Sequence, residues 1–376
     1  MTREVLLVTK PFGPPWRDSS KNLARDLAVS GRRYRYRVLA PRGSPLPEGP
    51  IEVERIYRDL GSYQPALAQN LRVLARLVGP SQGEALYHFF HAPNPRTAKA
   101  AHQALRFQRR KRPVLHTACS LPSALTPLQE SCFADRTLVL SAHTEGLMMR
   151  AGVPGVVRVD PCVPCPRKPE HSEREAARQA LQLKDAPVVL FAGDLEMGRG
   201  APVFVAAMPL IARQVPEAQY VLACRAKTAH SRMAEEELKA LVRGCGLMDR
   251  TRFMGETDRM AELLLVADVQ ALPARSLEKK MDYPLVLLEG FARMLPAVVG
   301  DAPTLLEMAE LPGSPCVSAR SDAPDEVAAR IVALLRDDHR RREMGRAARK
   351  LAETRFNPTE FATRCEALYD ELLARR

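Results

Sequence analysis

The sequence lacks any apolar run approaching the ~18 uninterrupted residues that a membrane span needs, so no transmembrane helix is expected. The first residues, MTREVLLVTKPFGPP, offer an apolar core of only four residues and no small-residue cleavage site. A secretory signal is therefore not expected, and a cytoplasmic location is. Paired metal ligands are also missing. The eight cysteines (Cys119, Cys132, Cys162, Cys165, Cys224, Cys245, Cys316 and Cys365) are scattered, which in a reducing compartment reads as buried thiols. The one close pair, CVPC at 162–165, has no second Cys or His pair spaced to complete a zinc site. It reads as a proline-bounded linker, and no metal is expected. No GKS or GKT follows a glycine-rich turn, which excludes a Walker loop. Glycines at 193, 198 and 200 do not have the spacing of the dinucleotide fingerprint. No internal repeat or low-complexity stretch stands out, and Trp16 is the only tryptophan.

What is present is a chain of 376 residues, 46% hydrophobic and 27% charged. That is enough apolar side chain for real cores, and at about 150 residues per domain it suggests two domains. The net charge of +12 is uneven: residues 1–165 hold 24 Lys and Arg against 12 Asp and Glu, and the remainder balances. The densest stretches are GRRYRYR (31–37) and RFQRRKR (106–112). Such a face attracts phosphates on lipids, nucleic acids or substrates; a plain solvated basic surface is the blander reading.

The first half alternates strands and helices. EVLLVTK (4–10), YRVLAPRG (36–43), ALYHFFHAP (85–93), PVLHTAC (113–119) and TLVLSAH (137–143) read as strands. KNLARDLAVSG reads as a helix with Ser19 or Ser20 as N-cap, and TAKAAHQALRFQRRKR (97–112) as another. VDPCVPCPRKPEHSE (159–173), with four prolines, marks a linker. The alternation then restarts with APVVLFAGD (186–194) and runs to PAVVGD (296–301), ending in a helical tail from 325. Apolar strands alternating with helices predict α/β units with parallel sheets covered on both faces. Two such doubly wound domains predict a ligand site at the carboxyl ends of the strands.

Two stretches carry chemistry on pattern alone. In DLEMGRGA, Gly193 and Gly198 flank a loop between a strand and a helix, where free N–H groups and a helix end bind phosphate. Arg199 adds a cation there. A plain tight turn fits the same residues. In KKMDYPLVLLEGFARMLPAVV (279–299), Leu285, Leu288, Ala292 and Leu295 follow helical spacing and form a core face. Glu289 interrupts the apolar run. It reads either as a helix-dipole partner or as an acceptor for sugar hydroxyls.

The order of these motifs resembles family-4 glycosyltransferases, retaining enzymes of the GT-B fold. MDYPLVLLEGFARMLPAVV is similar to their E-P-F-G-L-V-L-L-E-A-M-A-C-G-L-P-V-V run, and GDLEMGRG (193–200) to their G-R-L-x-x-x-K-G loop. TLVLSAHTEGLMMRAGVPGVVRVDP (137–161) and the final FNPTEFATRCEALYDELLARR also resemble family elements. The resemblance implies two Rossmann-like doubly wound domains facing a cleft. They would be an N-terminal acceptor domain (1–165), a linker and start of the second domain (166–185), a nucleotide-sugar donor domain (186–355), and a C-terminal helix (356–376) returning to the first. It implies transfer of a sugar from a nucleoside-diphosphate sugar, as co-substrate, with no metal or other cofactor.

Residue by residue, the resemblance gives Glu289 a ribose-binding role. It sets the backbone N–H groups of Leu285 and Val286 toward the donor phosphate, and gives Arg199 the neutralisation of the diphosphate. Four positions depart from the family. Asp194 stands where a cation is usual, Met281 where the first glutamate is, Pro284 where a glycine is, and Cys119 where the active-site histidine is. Asp282 is the nearest carboxylate to the missing glutamate, Lys280 a substitute cation, and His91 the better histidine for the cleft. Arg199, Asp282 and His91 are thus the catalytic candidates. The loop PFGPPWRDSS stands at the family's first glycine-rich loop. There Gly13, Arg17, Ser19 and Ser20 would face an anion, and Trp16 a sugar. The basic first domain suits an anionic membrane surface and so a glycan or lipid-linked acceptor, with peripheral contact at the inner face. Nucleic acid is not expected. A non-catalytic or altered-specificity GT-B protein, epimerase-like chemistry included, and a basic nucleic-acid binder stay open as alternatives.

Overall fold

The computed structural model describes residues 3–57, 67–80, 82–108, 111–120, 122–123, 127–195, 200–226 and 228–375. The chain forms two compact units. Unit 1 is Met1–Val163 with Glu278–Leu285 and Arg355–Arg376; unit 2 is Pro164–Leu277 with Val286–Thr354. Residues 278–285 therefore pack with the first unit, although one continuous second domain over 186–355 was expected.

Unit 1 runs β1 (Glu4–Val8), α1 (Ser19–Ser30), β2 (Arg35–Pro41), β3 (Ile51–Tyr57), α2 (Leu67–Val78), β4 (Glu84–His91), α3 (Pro95–Arg106), β5 (Val114–Ala118), β6 (Arg136–Val139), α4 (Ala142–Arg150) and β7 (Val156–Arg158). All seven strands pair in parallel, in the order β3-β2-β1-β4-β5-β6-β7. Strand alternation sends Leu6, Val8, Tyr87 and Phe89 to the face covered by α2 and α3, where Leu77, Ala101 and Ala104 meet them. The opposite face takes α1 and the C-terminal helix Pro358–Ala374, which pack on each other and on β4.

That second seam is fixed by one carboxylate. Glu366 on the C-terminal helix is 2% exposed. It accepts the N–H groups of Arg32 (2.9 Å) and Arg33 (3.1 Å) and the hydroxyl of Tyr36 (2.8 Å). Tyr34 donates to Asp370 at 2.6 Å. Three donors on one buried carboxylate offset its desolvation.

Unit 2 repeats the plan with α5 (His171–Ala180), β8 (Val188–Asp194), α6 (Gly200–Gln214), β9 (Gln219–Arg225), α7 (Ala229–Gly244), β10 (Thr251–Phe253), α8 (Met260–Val266), β11 (Val269–Leu272), α9 (Leu285–Phe291), β12 (Ala297–Val299), α10 (Pro303–Ala309), β13 (Cys316–Ser318), α11 (Pro324–Arg336) and α12 (Asp338–Thr354). The helix Pro358–Ala374 is α13. The sheet is again parallel, in the order β10-β9-β8-β11-β12-β13. Val188, Leu190 and Ala192 pack with Ala177 of α5, Leu181 just beyond its end and Leu263 of α8. Each sheet reverses direction beside its first strand, at β1/β4 and β8/β11, and ligands of doubly wound sheets bind at such switch points.

Two local readings are corrected. The N-cap of α1 is Asp18, not Ser19 or Ser20: its carboxylate accepts the N–H groups of Ser20 (3.1 Å) and Lys21 (3.2 Å). A carboxylate caps as well as a hydroxyl and also complements the positive helix end. The helix read as running to residue 112 ends at Arg106, because Gln108 turns in to donate to the carbonyl of Leu77 (2.7 Å) and the hydroxyl of Tyr87 (3.0 Å).

Candidate active site

In unit 1 the loop after β1 is held by charges. Lys10 Nζ lies 2.5 Å from Asp18 Oδ2. Burial pushes the Asp18 carboxyl up, but Lys10, the Ser20 hydroxyl and the Lys21 N–H outweigh it and hold the group at about 2. Lys21, 8% exposed, donates to the Gly13 carbonyl at 2.5 Å. Gly13 has φ +148°, and a Cβ there would stand 2.2 Å from Ser44 Oγ, so only glycine fits. Trp16 packs edge-on against Phe12 at 5.2 Å, with Arg25 and Lys21 cations 5.1 and 5.3 Å from its ring. Arg17, Ser19 and Ser20 are half-buried at the start of α1. The expectation that Ser19 and Ser20 open this helix end to an anion is corrected: Asp18 occupies the amides of Ser20 and Lys21.

Asp282 is fully buried and accepts from Ser141 Oγ at 2.6 Å. Ser141 in turn caps α4, its oxygen accepting the Thr144 N–H at 3.1 Å. The carboxylates of Asp18 and Asp282 and the Lys10 ammonium all act on the Cys119 thiol. These four side chains therefore share the carboxyl end of the first sheet. Burial, then Asp18 and Asp282, push Cys119 well above its usual range, and its thiol donates to the Thr117 carbonyl. A protonated thiol in this setting is no nucleophile. Lys280, in the same unit, is half-buried, and burial lowers its ammonium to about 8.

The two histidines of β4 face opposite ways, as strand geometry requires. His88 bonds Tyr369 (2.6 Å) and Thr117 (2.7 Å) on the α13 face. His91 turns to the α2/α3 face, its ring 4.2 Å from that of His116 and stacked on Phe133 at 5.8 Å. Its Nδ1 donates to the carbonyl of Ala92 at 2.9 Å. Burial lowers the His91 pKa and keeps the ring neutral. The ring contacts of His91 are Phe89, His116 and Phe133.

In unit 2 the carboxyl ends of β8, β11 and β12 converge. A Cβ on Gly300 would meet the Ala274 carbonyl oxygen at 2.2 Å, and one on Gly200 would lie 3.5 Å from the Ala274 backbone. Gly193 precedes Asp194 at the end of β8; Gly198 and Arg199 lie outside the described residues. Asp194 registers with Arg225 at the end of β9, and the two side chains are 3.7 Å apart. Sequence reasoning missed Arg225, because strand order decides which residue meets Asp194 and no local pattern announces it.

Leu285 and Val286 open α9, whose first N–H groups have no acceptor within the helix. Gln270 on β11 donates to the Val286 carbonyl at 2.9 Å and ties that turn to the sheet. Leu285, Leu288, Ala292 and Leu295 are all buried, as the spacing predicts. Glu289 is half-buried and the fifth of seven helical residues, so it is not in the first turn and the dipole-partner reading loses its basis. The Arg293 guanidinium faces Glu289; burial lowers the Arg293 pKa and Glu289 opposes the shift. Among the described residues no group of three or more His, Cys, Asp or Glu is arranged to hold a metal ion.

Two parallel Rossmann-like sheets of this strand order, with a C-terminal helix on α1, define a GT-B protein. Residues 173–351, just under half of the chain, match the model of group 1 glycosyl transferases. D-inositol 3-phosphate glycosyltransferase of Xylanimonas cellulosilytica is 31% identical over 227 residues, 60% of this chain and 52% of that protein. A GDP-mannose-dependent alpha-(1-6)-phosphatidylinositol monomannoside mannosyltransferase of Mycobacterium tuberculosis is 28% identical over 188 residues, 49% of this chain and 47% of the other. The chain thus spans about half the length of these relatives. Sucrose-phosphate synthase from Thermosynechococcus elongatus superposes with a TM-score of 0.77 at 21% identity, over the whole of both chains, a likeness of fold.

Proposed function

We propose that the protein transfers a glycosyl group from a nucleoside-diphosphate sugar to an acceptor, with retention at the anomeric carbon. The observation that carries this is the group 1 region, residues 173–351, built on a sheet whose β8/β11 switch point adjoins the start of α6. The main demand of the chemistry is charge stabilisation on the departing diphosphate. Arg199, the loop at Gly193 and Gly198, the N–H groups of Leu285 and Val286, and Lys280 would meet it without a metal. Glu289 would accept the ribose hydroxyls. Asp282, held by Ser141, and neutral His91 are the remaining catalytic candidates, with Gly13, Trp16 and Arg17 on the acceptor side.

The basic balance of residues 1–165 supports an anionic acceptor. The relatives named for inositol phosphate and phosphatidylinositol monomannoside support a phosphorylated polyol or a lipid-linked glycan. Asp194 beside Arg225 and the buried Cys119 favour a second reading, a non-catalytic or altered-specificity protein of the same fold. Transfer and hydrolysis measured across UDP-, GDP- and ADP-sugars separate the two. Turnover of at least one donor is expected, and a panel in which none binds or reacts refutes the enzyme reading.

A further inference from the structure

The closing turn of α9 sets a cation beside Glu289. Met294 holds a left-handed backbone, φ +62°. Its N–H donates to the Phe291 carbonyl (3.0 Å), and that of Leu295 donates to the Gly290 carbonyl (3.0 Å). This pair of bonds closes a helix end, usually around a glycine. Helix α12 packs on the same turn. Arg349, itself buried, donates to the Ala292 carbonyl at 2.5 Å. A Cβ on Gly345 would stand 2.2 Å from the Met294 carbonyl oxygen. The end of α9 is therefore fixed by backbone bonds and by α12, independently of the charge on Arg293.

Arg293 lies in this turn, four residues after Glu289, the spacing at which helical side chains share a face. Its Nη1 donates to the Glu289 carbonyl at 3.2 Å, which turns the guanidinium back along the helix. Both side chains are half-buried, and both residues belong to unit 2. Three groups act on the Arg293 cation: the Glu289 carboxylate, the Cys165 thiol and the Arg349 guanidinium. Glu289 is the one carboxylate among them, and Arg349 has its own in Glu353 at 2.5 Å. A half-buried cation needs an opposite charge, and Glu289 supplies it. A carboxylate offers about four lone-pair sites, of which one guanidinium takes about two at most. Sites remain for hydroxyl donors, on a carboxylate whose direction Arg293 sets.

We propose that Arg293 is a positioning residue, which orients the Glu289 carboxylate for the ribose hydroxyls of the donor nucleotide. The inference rests on the donor-site reading of unit 2. Wild type, Arg293→Gln, Glu289→Gln and the double variant are titrated calorimetrically with UDP, GDP and ADP, after circular dichroism shows each to be folded. Arg293→Gln keeps a donor for the Glu289 carbonyl and removes the charge. It should weaken binding of the nucleotide that wild type takes by about fivefold, and by less than about twofold in the Glu289→Gln background. Arg293→Lys returns a charge at the same spacing and should bring affinity back to within about twofold of wild type. Arg293→Met replaces Arg293→Gln in the cycle if the latter does not fold. A wild type that binds none of the three nucleotides overturns the donor-site reading, and this inference with it. Where wild type binds, an equal loss in both Glu289 backgrounds, or no loss at all, overturns the positioning role alone. So does a failure of Arg293→Lys to recover affinity. Tighter binding by Arg293→Gln also overturns it, by making Arg293 a competitor for Glu289.

Discussion

Replacing Asp18 with asparagine should remove the ion pair of the first loop and leave its cap. An asparagine oxygen can still accept the Ser20 and Lys21 N–H groups, and it ranks with aspartate at N-caps. What disappears is the charge attracted to Lys10. The Asp18 carboxyl is lowered from 3.8 to about 2, which at about 1.4 kcal/mol per unit gives roughly 2 kcal/mol. Lys10 keeps 37% of its side chain exposed, so solvent screening reduces the expectation to about 1–2 kcal/mol. The folded-state pKa lies below the unfolded one. The contribution is therefore complete above the unfolded value and is lost as pH falls from 3.8 toward about 2. Trp16, the only tryptophan, sits in this loop, so its fluorescence reports urea unfolding of unit 1. Wild type should exceed Asp18→Asn at neutral pH, and the gap should close in acid. Equal stability at neutral pH, or a gap that persists unchanged through that window, refutes the reasoning.

Three further outcomes follow from the same structure. Glu366→Ala leaves the buried Tyr36 hydroxyl and the part-buried Arg32 and Arg33 amides without their acceptor, and should cost about 2 kcal/mol in the Trp16-monitored transition. Arg225→Met removes the cation facing Asp194, and should weaken nucleotide binding by about tenfold in calorimetry. If Lys280 serves the donor phosphate, its ammonium, held near 8 by burial, must lose its charge above that value. kcat/KM should then fall as pH rises through about 8, and Lys280→Arg should remove the fall while retaining activity below it.

The fold was legible wherever strands are buried on both sides. EVLLV and VVLFAGD read directly as parallel strands, because no solvent face interrupts their apolar run. IEVERIY escaped notice because β3 is an edge strand that spends Glu52 and Glu54 on Arg37 and Arg76. The helix at 97–112 was overread because its last residues keep a helical composition, and only the turn of Gln108 onto Leu77 ends it.

At the site, the α9 core face was visible in the spacing of Leu285, Leu288 and Ala292. The partners of Asp194 and Asp282 were not. Arg225 lies 31 residues beyond Asp194, and Ser141 lies 141 residues before Asp282. Strand order joins the first pair, and the packing of residues 278–285 on unit 1 the second. His91 shows the same limit: alternation gave its direction relative to His88, while its stack on Phe133 depends on a residue from another segment.

The central claim is that Glu289 belongs to a nucleotide site on unit 2. Calorimetric titration of the protein and of Glu289→Gln with UDP, GDP and ADP tests it most directly. One of the three nucleotides should bind saturably, and the variant should bind it about tenfold more weakly, as loss of a charged acceptor to ribose hydroxyls demands. Binding of no nucleotide, or equal affinity in both proteins, would contradict it.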